Sequence, residues 1–252
     1  MAARTSAKML IPAVAALLAG VSASATAQNA AAVDRLYAFG DSYSDGGNAY
    51  ALTRRPTSPP YVSRYSDGMT AVEYMAKGFG LTLRYSEDVN LSAEASLNFA
   101  VGGAWTSRRN NDAALDGKTG LLSQVADFER RLKSGEASFG ADTTLFFIAA
   151  GINDVLAGNV GGQDNAALVT GALQNVEEAV RSLHAAGARH VAIATLPMVN
   201  LAPRAASLPA PTAKAIGDAV VSLNQGYQRM AGKLRTDLRG GCVYASVGTV
   251  LR

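Results

Sequence analysis

Ser42 has the sequence surroundings of a nucleophile, in Gly40-Asp41-Ser42-Tyr43-Ser44-Asp45 directly after the apolar run Leu36 to Phe39. Gly40 permits a tight turn, and amides at the start of a following helix would stabilise negative charge near the serine oxygen. An Asp-Ser pair at a helix start also serves as an ordinary N-cap, so this segment alone is not diagnostic. A second apolar stretch ends in Asn98-Phe99-Ala100-Val101-Gly102-Gly103-Ala104, where paired glycines let the backbone approach a bound group or simply turn the chain. A third ends in Gly151-Ile152-Asn153-Asp154, where the Asn153 carboxamide can donate to an oxyanion or close an Asx turn. The three together suit acyl transfer, which builds charge on a carbonyl oxygen. Removing one preorganised donor there costs on the order of a hundredfold in rate.

Such groups meet only if the elements that carry them are neighbours. Short apolar runs at Leu36 to Phe39, Leu97 to Val101, Thr144 to Ala150, His190 to Thr195 and Val243 to Val247 read as buried strands. Between the later runs lie segments with helical spacing. Leu121, Leu122, Val125, Phe128 and Leu132 share one face; so do Leu168, Leu173, Val176, Val180 and Leu183, ahead of Gly187 as a C-cap. The longest stripe runs Ile216, Val220, Leu223, Tyr227, Met230, Leu234 and Leu238. Continuous apolar strands alternating with amphipathic helices predict a mostly parallel sheet covered on both faces, a three-layer α/β domain without an internal repeat. Reactive groups in such sheets gather at the carboxyl ends of strands. The long polar connections Pro56 to Gly68 and Arg108 to Thr119 are candidates to wall a site, with Tyr61, Tyr65 and Trp105 either lining it or packing.

In order and content the three motifs resemble the GDSL, or SGNH, esterases and lipases. The likeness extends to Arg64-Tyr65-Ser66-Asp67-Gly68, Ala186-Gly187-Ala188-Arg189, Leu196-Pro197 and Leu223-Asn224, essentially the whole chain after its first residues. Tyr43 stands where many members have leucine. The resemblance implies a flavodoxin-like strand order, with the strands preceding Gly103 and Asn153 on either side of the strand preceding Ser42. It also implies roles: Ser42 as nucleophile, with its own amide, the Gly103 amide and the Asn153 side chain as oxyanion donors. Gly102 stays open as the alternative glycine donor. The implied activity is hydrolysis of carboxylic esters through an acyl-enzyme, without cofactor or metal. A non-catalytic homologue that binds an ester or glycan is the alternative.

A serine needs a base to take its proton. The family supplies it from an Asp-x-x-His motif near the C-terminus, and that motif is not found in this sequence. The expectation is a domain truncated at its C-terminus, weak or inactive as it stands, with a degenerate non-catalytic homologue and completion by a separate chain as the alternatives. The two histidines, His184 within a helix pattern and exposed, and His190 at the start of a strand, are expected far from Ser42. Asp41, Asp45 and Asp154 are nearby, but an ordinary carboxylate titrates far below neutrality.

Arg4 and Lys8, the apolar run Met9 to Val21 and Ala25-Thr26-Ala27 read as a secretory signal peptide over residues 1–27. The hydrolase domain then occupies residues 28–252, exported to a periplasmic or extracellular space. The leader holds two of the 23 basic residues and none of the 20 acidic ones, so 21 against 20 remain, a net of +1. With no basic stripe, a nucleic-acid partner is not expected. The later chain holds no run long enough to span a membrane. Cys242 is the single cysteine, so no internal disulfide is expected. The substrate class left open is a small-molecule, lipid or acetylated-glycan ester.

Overall fold

The structure is a computed structural model that describes residues 33–57, 63–160, 162–240 and 242–246. The expected leader, Tyr61 and Val247 lie outside them. Six strands form one sheet: β1 (Arg35–Gly40), β2 (Leu83–Tyr85), β3 (Ser96–Asn98), β4 (Thr144–Ala149), β5 (His190–Ala194) and β6 (Cys242–Ser246). Their order is β2-β3-β1-β4-β5-β6, and every pairing is parallel. β1 is central because Leu36, Tyr37, Ala38 and Phe39 are all buried, so neither of its faces tolerates water.

Alternation along the strands sorts the core into two layers. On one face Tyr37, Phe39, Phe99, Phe146, Ile148, Val191 and Ile193 meet the apolar stripes of α3 (Leu121–Ser134), α5 (Asn165–Ala185) and α6 (Ala210–Asp237), with α4 (Ile152–Val160) beside them. The Tyr37 and Phe128 rings lie 4.8 Å apart by centroid, and Phe39 stacks on Phe99 at 5.3 Å. On the other face Leu36, Ala38 and Phe147 pack on Val72 and Ala76 of α2 (Ala71–Gly78). Helix, sheet and helix make the expected three layers. Gly187, at φ +113, directly follows the α5 C-cap Ala186.

Several elements were not expected from the sequence: β2, whose side chains are partly or fully exposed, α1 (Asn48–Thr53), α2 and α4. The second expected strand also stops early, at Asn98. Phe99 and Val101 still donate to Ala38 and Gly40 of β1, at 2.7 and 3.1 Å. On the opposite edge the Ser86 amide, just past β2, still donates to the Asn98 carbonyl at 2.8 Å, and the Asn48 carboxamide donates to the carbonyls of Asn98 and Ala100, at 2.7 and 3.0 Å. Among the described residues no helix is long and apolar enough to cross a membrane.

Candidate active site

Each of the three motifs follows the carboxyl end of one of three adjacent strands, β3, β1 and β4. Gly40 is in register with Ala149 and accepts from Val101, which places Ser42 and Gly103 in loops, and Asn153 in the first turn of α4, at the carboxyl end of the sheet. Gly40 must be glycine. Its φ is +151, and a β-carbon there would lie 2.1 Å from the Ala149 carbonyl oxygen. Gln124 of α3 grips its backbone, with Oε1 accepting from the Gly40 amide at 2.8 Å and Nε2 donating to the Gly40 carbonyl at 2.8 Å.

Ser42 sits in a single turn, not at a helix start. The Asp41 carbonyl accepts from the amides of Ser44 and Asp45, both at 3.0 Å, and α1 begins only at Asn48. The buried Asp45 carboxylate separates the two, because it captures the amides of Gly47 and Asn48 at 2.8 Å and Ala49 at 3.2 Å. The peptide carbonyl of Asp41 faces into the turn, so the amide of Ser42 on the same peptide faces outward. Among the described residues that amide and the half-buried Ser42 hydroxyl have no partner. The turn is braced from two sides. Asn98 Nδ2 donates to the Ser44 carbonyl at 2.6 Å, and Arg64, paired with Glu73 at 2.6 Å, reaches the Gly46 carbonyl at 3.4 Å.

The glycine pair is not equivalent. The Gly102 amide donates to Asp45 Oδ2 at 2.8 Å, so it is occupied. The Gly102 carbonyl accepts from Asn110 Nδ2 at 3.0 Å, which turns the Gly103 amide of the same peptide the opposite way. That amide has no acceptor among the described residues. Asn153, in the first turn of α4 and largely buried, donates one carboxamide hydrogen to the Ala104 carbonyl at 2.9 Å and accepts from Asn111 Nδ2 at 3.0 Å. Its second N–H has no acceptor among the described residues.

Charge in the site departs from the sequence expectation. Burial pushes the Asp41 carboxyl up to about 7, against the pull of the Tyr43 amide and helped by Asp154 and Asp45. Burial also raises Asp45, opposed by four backbone amides, and Asp154, opposed by the Thr106 amide at 2.9 Å and hydroxyl at 2.6 Å. Asp41 therefore titrates near neutrality because water is excluded around it, although its Oδ1 faces the Tyr43 amide at 3.1 Å rather than the serine hydroxyl.

The histidines lie at the other end of the sheet. His190 pairs with Leu145 at the start of β4, and His184 is in the last turn of α5. His184 is half-buried rather than exposed, with Nε2 shielded from water and unpartnered among the described residues. Tyr65 is half-exposed with its ring against Gly102, where a β-carbon would meet it at 2.1 Å. Trp105 packs instead of lining the site. It is buried, donates to Asn111 Oδ1 at 2.7 Å and lies under the Arg109 guanidinium at 4.2 Å. The sequence reading missed Asn110, Asn111 and Gln124. The available signal was the polar Asn110-Asn111 pair in a loop that must satisfy the glycine motif's backbone groups.

A parallel α/β sheet with a serine turn, a glycine loop and an asparagine helix start on adjacent strands defines the class. Residues 36–246 match the family model described as GDSL-like Lipase/Acylhydrolase, and the chain belongs to that family. It is 32% identical over 206 residues to acetylajmalan esterase 2 of Rauvolfia serpentina, covering 70% of this chain and 52% of that protein. It is 27% identical over 227 residues to GDSL esterase/lipase 6 of Arabidopsis thaliana, covering 80% of this chain and 62% of that one. The chain thus spans between half and two thirds of the length of these relatives. Among solved structures, phospholipase A1 from Streptomyces albidoflavus NA297 aligns with a TM-score of 0.42 and 19% identity, over 84% of this chain and 79% of that one.

Proposed function

We propose that this protein is a serine ester hydrolase that works through an acyl-enzyme on Ser42. The Ser42 oxygen attacks the acyl carbon, and charge on the carbonyl oxygen is met by the Ser42 amide, the Gly103 amide and the second Asn153 N–H. The alcohol leaves with a proton, and water then releases the acid and regenerates the serine. The observation that carries this reading is that these donors lack acceptors among the described residues while the neighbouring Gly102 amide is spent on Asp45. No step needs a cofactor. Membership of an esterase and lipase family favours the same chemistry, with a small ester, a lipid or an acetylated glycan as substrate.

The described residues place no imidazole beside Ser42, and we propose that turnover is weak until a base is supplied. The leader reading makes the protein exported, so an intact mass beginning at Gln28 is expected from secreted material. The test of activity is hydrolysis of p-nitrophenyl acetate by the protein and by Ser42→Ala, with and without added imidazole. The expected result is a rate dependent on Ser42 that rises with imidazole above the buffer background. Equal rates for the two proteins would reject the hydrolase and leave an ester-binding homologue. A fast Ser42-dependent rate without imidazole would reject the weak-turnover part, because a base within the chain would then reach the serine.

A further inference from the structure

We infer that Asn110 and Asn111 are positioning residues that orient two of the three oxyanion donors. The inference rests on the hydrolase reading for its catalytic meaning and on hydrogen-bond polarity for its geometry. An indole N–H can only donate, so Trp105 Nε1 at 2.7 Å fixes the oxygen end of the Asn111 carboxamide towards itself. The nitrogen end must then face Asn153, and it donates to Asn153 Oδ1 at 3.0 Å. That leaves the Asn153 nitrogen on the far side, where the Ala104 carbonyl, which can only accept, takes one hydrogen at 2.9 Å. Both ends of this chain have fixed polarity, so the Asn153 amide cannot flip without losing a bond on each side. The second N–H is thereby held as a donor.

Asn110 does the equivalent for the glycine loop. It is buried, and its Nδ2 donates to the Gly102 carbonyl at 3.0 Å and to Thr119 Oγ1 at 2.9 Å. Holding the Gly102 carbonyl holds the peptide plane that carries the Gly103 amide. The Asn111 backbone amide also donates to the Gly103 carbonyl at 3.0 Å, and Ala104 bridges to Asn110. Two consecutive asparagines thus set the polarity of donors that arise from separate strands.

The test is a double-mutant cycle between Asn111→Asp and Asn153→Ala, read as the Ser42-dependent rate in imidazole, alongside Asn110→Asp. A carboxylate at 111 has no hydrogen to give Asn153, and the Asn153 amide is expected to turn its oxygen towards the hole. Asn111→Asp should then lower kcat about thirtyfold or more with little change in KM, approaching the loss from Asn153→Ala. In the Asn153→Ala background the same change should cost less than about threefold, because a residue acting through Asn153 has nothing left to orient. Asn110→Asp should lower kcat in either background. Equal losses from Asn111→Asp in both backgrounds, or none in the first, would overturn the inference. A second readout does not need turnover. Trp105 is the only tryptophan, so the protein has one indole N–H signal by NMR. Asn111→Ala should shift that signal upfield and speed its exchange with water, and an unchanged signal overturns the relay. If Ser42→Ala leaves hydrolysis intact, the hydrolase reading fails and the indole signal alone decides whether the relay exists.

Discussion

Replacing Asp41 with asparagine should stabilise the protein increasingly as pH rises. Asp41 is buried beside Asp45 and Asp154, and its carboxyl titrates at about 7 in the folded state against 3.8 when free. Above the unfolded value the unfolded chain gives up its proton while the folded chain keeps it. Stability is therefore complete below about pH 4, falls through the interval to about 7 and stays low above it. The gap of about 3 units, at 1.36 kcal/mol each, amounts to about 4 kcal/mol at pH 8.5. Somewhat under half of this is already lost at pH 5, leaving about 2 to 3 kcal/mol between the two conditions. Asparagine keeps an oxygen for the Tyr43 amide and removes the charge. Asp45 and Asp154 remain in both proteins, and relief of their repulsion with Asp41 acts in the same direction. Urea unfolding of the two proteins at about pH 5 and pH 8.5 measures the difference. The variant should gain about 2 to 3 kcal/mol on the parent between them. A difference that does not change with pH, or one that favours the parent as pH rises, would refute the assignment of a raised pKa to Asp41.

Gly40→Ala should destabilise by about 3 kcal/mol or more, since the new methyl meets the Ala149 carbonyl oxygen at a left-handed φ. Gly68→Ala, where nothing lies within 4 Å of an added β-carbon, is the control and should unfold at nearly the parent urea concentration. Gln124→Leu should cost about 3 kcal/mol at unchanged denaturant slope, because it strips partners from the Gly40 amide and carbonyl and from the Thr119 carbonyl. Arg64→Lys should slow Ser42-dependent hydrolysis about tenfold with a small stability change, because lysine cannot fork between Glu73 and the Gly46 carbonyl to brace the turn that carries Ser42.

β1 and β4 were legible because most of their side chains are buried and a strand shielded from water must be apolar, whereas β5 buries only Val191 and Ile193 and was legible from its apolar run. The stripes of α3, α5 and α6 were legible for the related reason that one face of each meets the sheet. β2 was not, because it is a three-residue edge strand with partly exposed side chains. For the candidate site, the strand order that gathers Ser42, Gly103 and Asn153 at one end of the sheet was legible through the family resemblance. The site's supports were not. The bond from Asn110 to Gly102, the relay from Trp105 to Asn153 and the grip of Gln124 on Gly40 join residues whose spacing in sequence has no period. The turn at Ser42 was misread as a helix start because Asp45, three residues on, takes the amides that such a helix would have used. The neutral-range Asp41 was missed because burial cannot be read from a residue type alone.

The most direct test of the central claim is a crystal structure of the protein with a small alkylboronic acid, which adds to a serine oxygen as a tetrahedral boronate. The account predicts a bond from Ser42 Oγ to boron, with one boronate oxygen within about 3.1 Å of the Ser42 amide, the Gly103 amide and Asn153 Nδ2. A boronate absent from Ser42 at saturating concentration, or one whose oxygens all face solvent with those donors empty, would contradict it.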